Sequence, residues 1–252
     1  MIAFDAPPLP KIIAFLCFLV KCIFIEFKKP GETPRRDQIE YMLDLNRLGF
    51  LAFWATTAAE AMDGLKDRCS WCKGSELYIN YHDREWGRPV RDEGKMFEFL
   101  LLETFQAGLS WITVLKKRDA FRAVFHQFDI VRVASMSETE ISVALENANI
   151  IRHEAKIRAA ISNAQCVLKL HARGTTLVDF FWSYVQGKPI INTWESLSEV
   201  PAKTELAEEL ARDLKKLGFK FVGATVIYAH MQATGMVNDH LISCPSYGLT
   251  GT

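Results

Sequence analysis

The pattern of apolar and polar residues predicts helices over most of the chain from Lys95 onward. Residues 95–107 carry apolar side chains around most of the helical circumference, which is typical of a buried helix. Residues 108–110 interrupt this helix, and Ser110 can cap a second, short helix over residues 111–117. Further helices are predicted over residues 119–128, 137–147, 153–172, 176–186, 203–217 and 223–234.

Capping and terminating residues support these boundaries. Glu140 follows Ser137 at the spacing of a capping box, and Gly218 is well placed to end the helix over residues 203–217. The alternation typical of a strand is limited to a short stretch at residues 189–194. We therefore predict an all-α fold of about eight to ten helices, without internal repeats or low-complexity segments.

The beginning of the chain has a different pattern. Residues 12–27 form a strongly apolar run of 16 residues that contains Lys21 and Glu26. A membrane span needs about 20 largely uncharged residues, so this run is too short and too polar. A second apolar run at residues 48–55 lies in a segment that resembles a signal peptide in part.

These observations divide the chain into two parts. We predict that residues 1–61 are an apolar N-terminal extension of uncertain role and that residues 62–252 form a helical domain. The first part is interpreted as an appendage or as translated upstream sequence ahead of a start at Met62. Because neither apolar run meets the requirements of a membrane span or a signal peptide, we expect a cytoplasmic protein.

The composition is that of a globular protein with a substantial core. Of the 252 residues, 49% are hydrophobic and 24% are charged, which excludes a largely disordered chain. The 30 basic residues balance the 30 acidic residues, so a nucleic-acid partner would have to be bound through local features rather than a general basic excess. The six cysteines are too sparse for a disulfide scaffold and are better candidates for metal ligands.

An aromatic cluster is the first candidate site. Tryptophan and tyrosine combine a large π-face with a polar tip, which suits the binding of a planar heterocycle. A carboxylate, Glu103, follows on an otherwise apolar helix, where it could accept hydrogen bonds from a ring or stabilise positive charge. The alternatives are core aromatic residues and a surface glutamate at a helix edge. The aromatic candidates are Trp71, Tyr78, Tyr81, Trp86 and Trp111.

A glycine-bracketed turn between two predicted helices is the second candidate site. Gly218 and Gly223 enclose this turn, and both allow a positive φ and a close approach of the backbone. Amides at the start of the following helix would point at a phosphate, and Lys220 adds positive charge. A turn of this kind is also common as plain structure.

Cysteine and histidine residues at ligand-like spacing are the third candidate site. His240 and Cys244 lie about one helical turn apart, and Zn²⁺ favours four such ligands in a closed tetrahedral site. His82 and a cysteine near residue 70 could supply the other two. Cys69 and Cys72 both remain possible, because together they form a C-x-x-C half-site.

Seven motifs together resemble the bacterial 3-methyladenine DNA glycosylase I family. The resemblance runs over roughly 180 residues, from about Arg68 to Tyr247, and does not include residues 1–61. Cys72 and Phe105 depart from the family pattern, which has a second glutamine at the latter position. The motifs are Arg68-Cys69-x-Trp71 and the segments 77–87 (LYINYHDREWG), 106–118 (QAGLSWITVLKKR), 125–129 (FHQFD), 150–153 (IIRH), 218–223 (GFKFVG) and 237–240 (VNDH).

This resemblance implies a helix-hairpin-helix glycosylase in which a structural Zn²⁺ joins the two ends of the domain. The implied function is base-excision repair of double-stranded DNA that contains alkylated bases, by a bacterial, monomeric enzyme with no nucleotide cofactor. Glu103 is implied as the catalytic, specificity-giving carboxylate, and the five aromatic residues form the base pocket. The implied zinc ligands are Cys69, His82, His240 and Cys244, and the implied DNA contacts are Leu109, Gly218, Lys220 and Gly223.

The same resemblance bears on the mechanism. Asn238 stands where related hairpin glycosylases place a catalytic aspartate, and we interpret the neighbouring Asp239 as a capping or supporting residue. We therefore expect a monofunctional hydrolase that flips the base out of the duplex, with no lysine nucleophile. Two alternatives are a zinc-structured DNA-binding module without catalysis and an interaction or membrane-tethered regulator built on residues 1–61.

Overall fold

The computed structural model describes residues 13–18, 21–47, 51–57 and 68–249, in two compact units of residues 1–67 and 68–252. The first unit contains a three-stranded sheet of order β1-β2-β3 and one described helix, α1 (Arg36–Arg47). Strand β1 (Ile13–Phe18) is antiparallel to β2 (Lys21–Phe27), and β2 is parallel to β3 (Leu51–Ala55).

These strands were not predicted from the sequence. The apolar run of residues 12–27 is rich in isoleucine and phenylalanine, which favour strands, and in the described part it forms β1 and β2. Over the described ranges of the chain, the structure contains no helix whose length and apolar character would let it cross a membrane.

The second unit is mostly helical, as predicted. In the described residues 68–249, two short parallel strands, β4 (Ile190–Ile191) and β5 (Val237–Asn238), accompany ten α-helices and three short 3₁₀ helices. Strand β4 lies in the predicted stretch at residues 189–194. The helices are α2 (Glu76–Arg84), α3 (Glu93–Gln106), α4 (Trp111–Leu115), α5 (Arg118–Val124), α6 (Ile130–Ala134), α7 (Glu138–Glu146), α8 (Glu154–His171), α9 (Leu177–Ser183), α10 (Glu205–Lys216) and α11 (Ala224–Ala233).

Side-chain caps begin most of these helices. The predicted capping box is confirmed, because Ser137 accepts from the Glu140 amide while the Glu140 carboxylate accepts from the Ser137 amide. Thr176 and Thr204 cap α9 and α10 in the same manner, each by accepting an amide hydrogen bond. Ser110 precedes α4 but makes no side-chain capping bond.

One predicted helix is shorter than expected. Helix α5 ends at Val124. The three residues His126, Gln127 and Phe128 then have φ values of 51°, 57° and 59°. This left-handed turn brings the Phe128 side chain into the core, where it is 2% exposed and its ring stacks on Phe125. Local periodicity does not reveal such a turn, because the burial of Phe128 depends on contacts outside the helix.

Helix α3 lies at the centre of the unit. Ten consecutive residues, from Met96 to Phe105, are buried, and α4, α8, α9 and α11 contact this helix. Phe105 is fully buried, and its ring centre lies 4.6 Å from that of Phe121. The phenylalanine that departs from the family pattern therefore belongs to the core.

Gly235 provides a test of the fold. Its φ is +68°, and a Cβ built there would meet the Arg88 backbone and lie 2.5 Å from the Pro89 nitrogen. We predict that Gly235→Ala lowers the free energy of unfolding by about 2–4 kcal/mol, from strain and steric overlap together. Gly174 is the control: its φ is +78° with no heavy atom within 4 Å of a built Cβ. Gly174→Ala should cost about 1 kcal/mol, and denaturant unfolding of both variants measures the difference. Equal losses would contradict the steric argument.

Candidate functional site

A cavity of about 200 Å³ opens among helices α2, α3, α4 and α11. All six residues of the predicted aromatic and carboxylate site line it: Trp71, Tyr78, Tyr81, Trp86, Trp111 and Glu103. Helix α2 carries both tyrosines, α3 carries Glu103 and α4 begins at Trp111. Six further residues complete the lining: Gln106, Leu197, Val200, Ala229, Gln232 and Asp239.

The aromatic residues hold one another in place. The ring centre of Trp71 lies 5.1 Å from that of Tyr78 and 4.9 Å from that of Trp86, in edge-to-face arrangements. Tyr81 lies 5.3 Å from Trp111, with an angle of 48° between the rings. The aromatic residues that line the cavity are therefore also packed against one another.

Glu103 and Trp111 each present an unpaired polar atom. Glu103 is 3% exposed, and neither its Oε2 nor the Trp111 Nε1 has a hydrogen-bond partner among the described residues. Burial raises the pKa of the Glu103 carboxyl to about 8. A buried donor and a buried acceptor without partners are costly, so a ligand with complementary edges would satisfy both.

Asp239 is a cavity residue whose contacts the sequence did not reveal. Its Oδ1 accepts hydrogen bonds from Asn192 Nδ2 and Trp194 Nε1, each at 2.7 Å. Its Oδ2 accepts from the Tyr228 hydroxyl at 2.6 Å and from Gln232 Nε2 at 2.7 Å. The carboxylate thus joins the segment after β4 to helix α11.

Some of the missed lining residues left a signal in the sequence. Gln106 follows Glu103 by three positions on α3, so both lie on one helix face. Leu197 and Val200 lie outside helices and strands, where the periodicity of the sequence does not indicate which way a side chain faces.

Asn238, next to Asp239, is buried, and its Nδ2 donates to the Tyr247 carbonyl oxygen.

The four predicted metal ligands lie together. Cys69, His82, His240 and Cys244 are buried, and their ligand atoms all lie within 4.8 Å of one another. Cys244 Sγ is 3.5 Å from His82 Nε2 and 3.6 Å from His240 Nδ1, and Cys69 Sγ is 3.8 Å from His240 Nδ1. With Zn–S and Zn–N bonds of about 2.3 and 2.1 Å, tetrahedral ligand atoms lie about 3.6 Å apart. The residues therefore fit a tetrahedral metal ion.

Neighbouring groups orient the two histidines. His82 Nδ1 lies 2.7 Å from Asp83 Oδ1, and both Asp83 oxygens accept from Arg68 Nε. His240 Nε2 lies 3.3 Å from the Trp86 carbonyl oxygen. These contacts leave His82 Nε2 and His240 Nδ1 directed at the sulfurs, as in protein zinc sites. Cys72 does not belong to this group of four residues, and its thiol donates to the Cys69 carbonyl oxygen.

The turn between α10 and α11 uses its two glycines differently. Gly218 has a φ of +97°, whereas Gly223 has a φ of −69° and serves as the N-terminal cap residue of α11. Phe221 takes the second left-handed position, with a φ of 56°. Lys220 is exposed within this turn.

Leu109 lies beyond the end of α3. Gly108 has a φ of +83°, and the Leu109 amide donates to the Gln106 carbonyl oxygen at 2.6 Å. The Leu109 side chain is 42% exposed, three residues after a residue that lines the cavity. The turn therefore presents an exposed apolar side chain between two residues of the sequence that line the cavity, Gln106 and Trp111.

Comparison with known proteins gives the family. The family model described as Methyladenine glycosylase matches residues 71–247. The chain belongs to this family. It is 50% identical over 181 residues to DNA-3-methyladenine glycosylase 1 of Escherichia coli strain K12, a match that covers 72% of this chain and 97% of that protein.

Solved structures of 3-methyladenine DNA glycosylases I have a similar fold. A crystal structure of 3-methyladenine DNA glycosylase I is 51% identical, with a TM-score of 0.70, and the match covers 71% of this chain and 98% of that one. A variant of another 3-methyladenine DNA glycosylase I, solved in complex with 3-methyladenine, is 37% identical, with a TM-score of 0.69. That match covers 71% of this chain and 96% of the other.

The raised pKa of Glu103 leads to a prediction about stability. The folded pKa of about 8 exceeds the ordinary value of 4.5, so unfolding releases a proton between these pH values and stability falls as pH rises. Glu103→Gln removes this titration. Its free energy of unfolding relative to wild type should therefore increase from pH 5 to pH 8, by up to about 1.4 kcal/mol per pH unit.

Denaturant unfolding at several pH values measures this difference. Glu209→Gln is the control, because it removes a carboxylate from an exposed position on α10. For each variant, the compared quantity is its free energy of unfolding minus that of the wild type. If this quantity rises with pH no more steeply for Glu103→Gln than for Glu209→Gln, the argument from burial is wrong.

Proposed function

We propose that this chain is a DNA-3-methyladenine glycosylase, which hydrolyses the N-glycosidic bond of 3-methyladenine in alkylated double-stranded DNA. This is the first step of base-excision repair. The observation that carries the proposal is the aromatic cavity with an unpaired carboxylate oxygen and an unpaired indole N–H. An engineered protein cavity of about 150 Å³ binds benzene, so a cavity of about 200 Å³ suits a larger planar ring.

The charge of the substrate explains the unpaired carboxyl. Methylation at N3 makes adenine cationic, and a cation beside Glu103 favours the ionised carboxylate over the neutral acid. Tyr81 and Trp111 offer ring surfaces for stacking, and base–aromatic stacking contributes about 1–3 kcal/mol per base. Unmodified adenine lacks the positive charge, so it gains less from the same site.

Bond cleavage needs little assistance from an acid. The electron pair of the glycosidic bond moves onto the cationic base, which leaves as a neutral molecule, and the sugar becomes an oxocarbenium-like cation. Water then adds to C1′ and loses a proton. Within the described part of the chain, the cavity lining contains no lysine that could form a Schiff base, which supports a monofunctional hydrolase.

Two exposed features support binding to duplex DNA. The turn of residues 218–223 begins α11 without a side-chain cap, so first-turn amides and Lys220 are available to a phosphate. Leu109 is placed to fill the gap that a flipped base leaves, and extruding a damaged base costs a few kcal/mol.

The buried cluster of cysteines and histidines is proposed to hold a structural Zn²⁺. Its soft and borderline donors and its distances suit this ion, which would cross-link the two ends of the glycosylase domain. The ion would also support the cavity wall, because Trp86, which lines the cavity, contacts His240 with ring centres 4.5 Å apart.

Base release from methylated DNA tests the proposed function. We predict that the wild type and Glu209→Gln release 3-methyladenine, and that Glu103→Gln releases it about 100-fold more slowly, because the carboxylate charge is lost. Chromatography of the released bases measures this and shows whether 3-methylguanine is also released. Binding of methylated DNA without base release would instead indicate a non-catalytic DNA-binding module. Unchanged release by Glu103→Gln would remove Glu103 from the mechanism.

Zinc content tests the proposed ligand set. We predict that wild type and Cys72→Ser retain stoichiometric zinc, whereas Cys69→Ser loses it and unfolds at a lower temperature, because a thiolate ligand is missing. Elemental analysis and thermal unfolding with and without a chelator give both readouts. Zinc loss from Cys72→Ser but not from Cys69→Ser would assign the fourth ligand to Cys72.

A further inference from the structure

Helix α8 contacts both of the turns that the proposed function brings to DNA. We call residues 106–110 the wedge turn, because they carry Leu109, and residues 218–223 the hairpin turn. Two buried polar side chains of α8, Lys156 and Asn163, make these contacts. Neither residue lines the cavity, and neither belongs to the cluster of metal ligands.

Lys156 holds the wedge turn. It is 6% exposed, and its Nζ donates to the Phe105 carbonyl oxygen at 2.9 Å and to the Ala107 carbonyl oxygen at 2.7 Å. These carbonyls belong to the C-terminal end of α3, where a positive charge interacts favourably with the helix dipole. The bonds fix the path of the chain between Gln106, which lines the cavity, and the exposed Leu109.

Asn163 holds the hairpin turn. It is fully buried, its Oδ1 accepts from the Lys220 amide at 2.7 Å, and its Nδ2 donates to the Lys220 carbonyl oxygen at 3.1 Å. The Asn163 side chain is thereby the partner of both the amide and the carbonyl of Lys220, which lies within the turn. One turn further along α8, the Cys166 sulfur lies 3.3 Å from where a Cβ on Gly218 would be.

The two residues lie on one face of α8. They are seven positions apart, which is close to two helical turns and corresponds to about 10.5 Å along the axis. Ten of the residues of α8 are buried. One buried helix is therefore hydrogen-bonded to both the wedge turn and the hairpin turn.

We propose that α8 sets the spacing between the two DNA-contacting turns and that Lys156 and Asn163 are positioning residues for base flipping. This inference rests on the proposed glycosylase function. Both turns must engage the same duplex at once, one at the phosphates and one at the site of the missing base. A small error in their spacing would leave the cavity intact but would misplace the flipped nucleotide, and misplacement by 1 Å can slow a reaction about 100-fold.

Separate measurements on the base and on the duplex test this role. Lys156→Met removes the donors and the charge but keeps the length of the side chain. We expect single-turnover release of 3-methyladenine from methylated duplex DNA to fall about 10- to 100-fold. Binding of free 3-methyladenine, followed by tryptophan fluorescence, should change by less than about twofold. Lys156→Arg should recover part of the rate, because a guanidinium can donate to the same two carbonyls.

Lys169→Met is the matched control. It removes the same charge from an exposed position of the same helix, so it reports the general electrostatic effect on DNA binding. If Lys156→Met and Lys169→Met slow release equally, or if Lys156→Met weakens free-base binding as much as it slows release, the positioning role is overturned.

A double-mutant comparison tests the spacing itself. Asn163→Ala should also slow release, and Lys156→Met combined with Asn163→Ala should be no more than about twofold slower than the worse single variant, because either change already loses the spacing. The losses in unfolding free energy should instead add, because the two sites are about 10 Å apart and share no partner. If the fold-losses in release rate of the two single variants multiply in the double variant, the two residues act independently and the proposed role of α8 in spacing the turns is overturned.

The outcome for the wild type separates the two proposals. A wild-type chain that releases no base from methylated DNA overturns the proposed function and this inference with it. An active wild type with unimpaired Lys156→Met and Asn163→Ala variants overturns the inference alone. If Lys156→Met does not fold, base release and free-base binding are compared for Lys156→Arg and Asn163→Ala instead.

Discussion

The burial of helix α3 on all sides is the constraint on which the glycosylase unit depends. A helix that is apolar around its circumference must be covered by other elements, and α4, α8, α9 and α11 do so. Polar groups on such a helix need partners. Glu98 pairs with Arg118, and the Thr104 hydroxyl donates to the Leu101 carbonyl oxygen. On α3, within the described part of the chain, Glu103 Oε2 is the buried side-chain atom without a partner, and Glu103 lines the cavity. The packing that covers α3 therefore leaves one polar atom of this helix unpaired at the cavity.

Local patterns in the sequence were sufficient for most of the helices. Periodicity and caps located α3, α7 and α8, since the signals for a helix lie within the helix itself. The left-handed turn at residues 126–128 and the contacts of Lys156, Asn163 and Asp239 depend on groups far away in the chain, for which one sequence contains no local signal. The strands of residues 13–27 were missed because a short apolar run is compatible with several structures. Motif spacing brought the aromatic residues and Glu103 to attention, but it did not reveal that the segment containing Leu197 and Val200 closes one side of the cavity.

The metal-binding cluster and the cavity share structural elements. Cys69 and His240 are 171 positions apart in the sequence, yet their side chains lie within 4 Å. Trp86, which lines the cavity, accepts at its carbonyl oxygen from His240 and contacts the His82 ring. Trp71 lies against His82 as well, with ring centres 5.2 Å apart. The proposed structural ion and the proposed base pocket thus share one aromatic wall, so we expect loss of the ion to disturb the pocket as well.

The hydrogen bonds of Asp239 limit what this carboxylate can do in the reaction. A carboxylate has about four acceptor positions, and four donors from Asn192, Trp194, Tyr228 and Gln232 already occupy them. A further donor would have to displace one of these hydrogen bonds. Asp239 is therefore suited to hold the segment after β4 against helix α11 rather than to accept a hydrogen bond from a further group. Because it also lines the cavity, one buried carboxylate joins two parts of the cavity wall that are distant in the sequence.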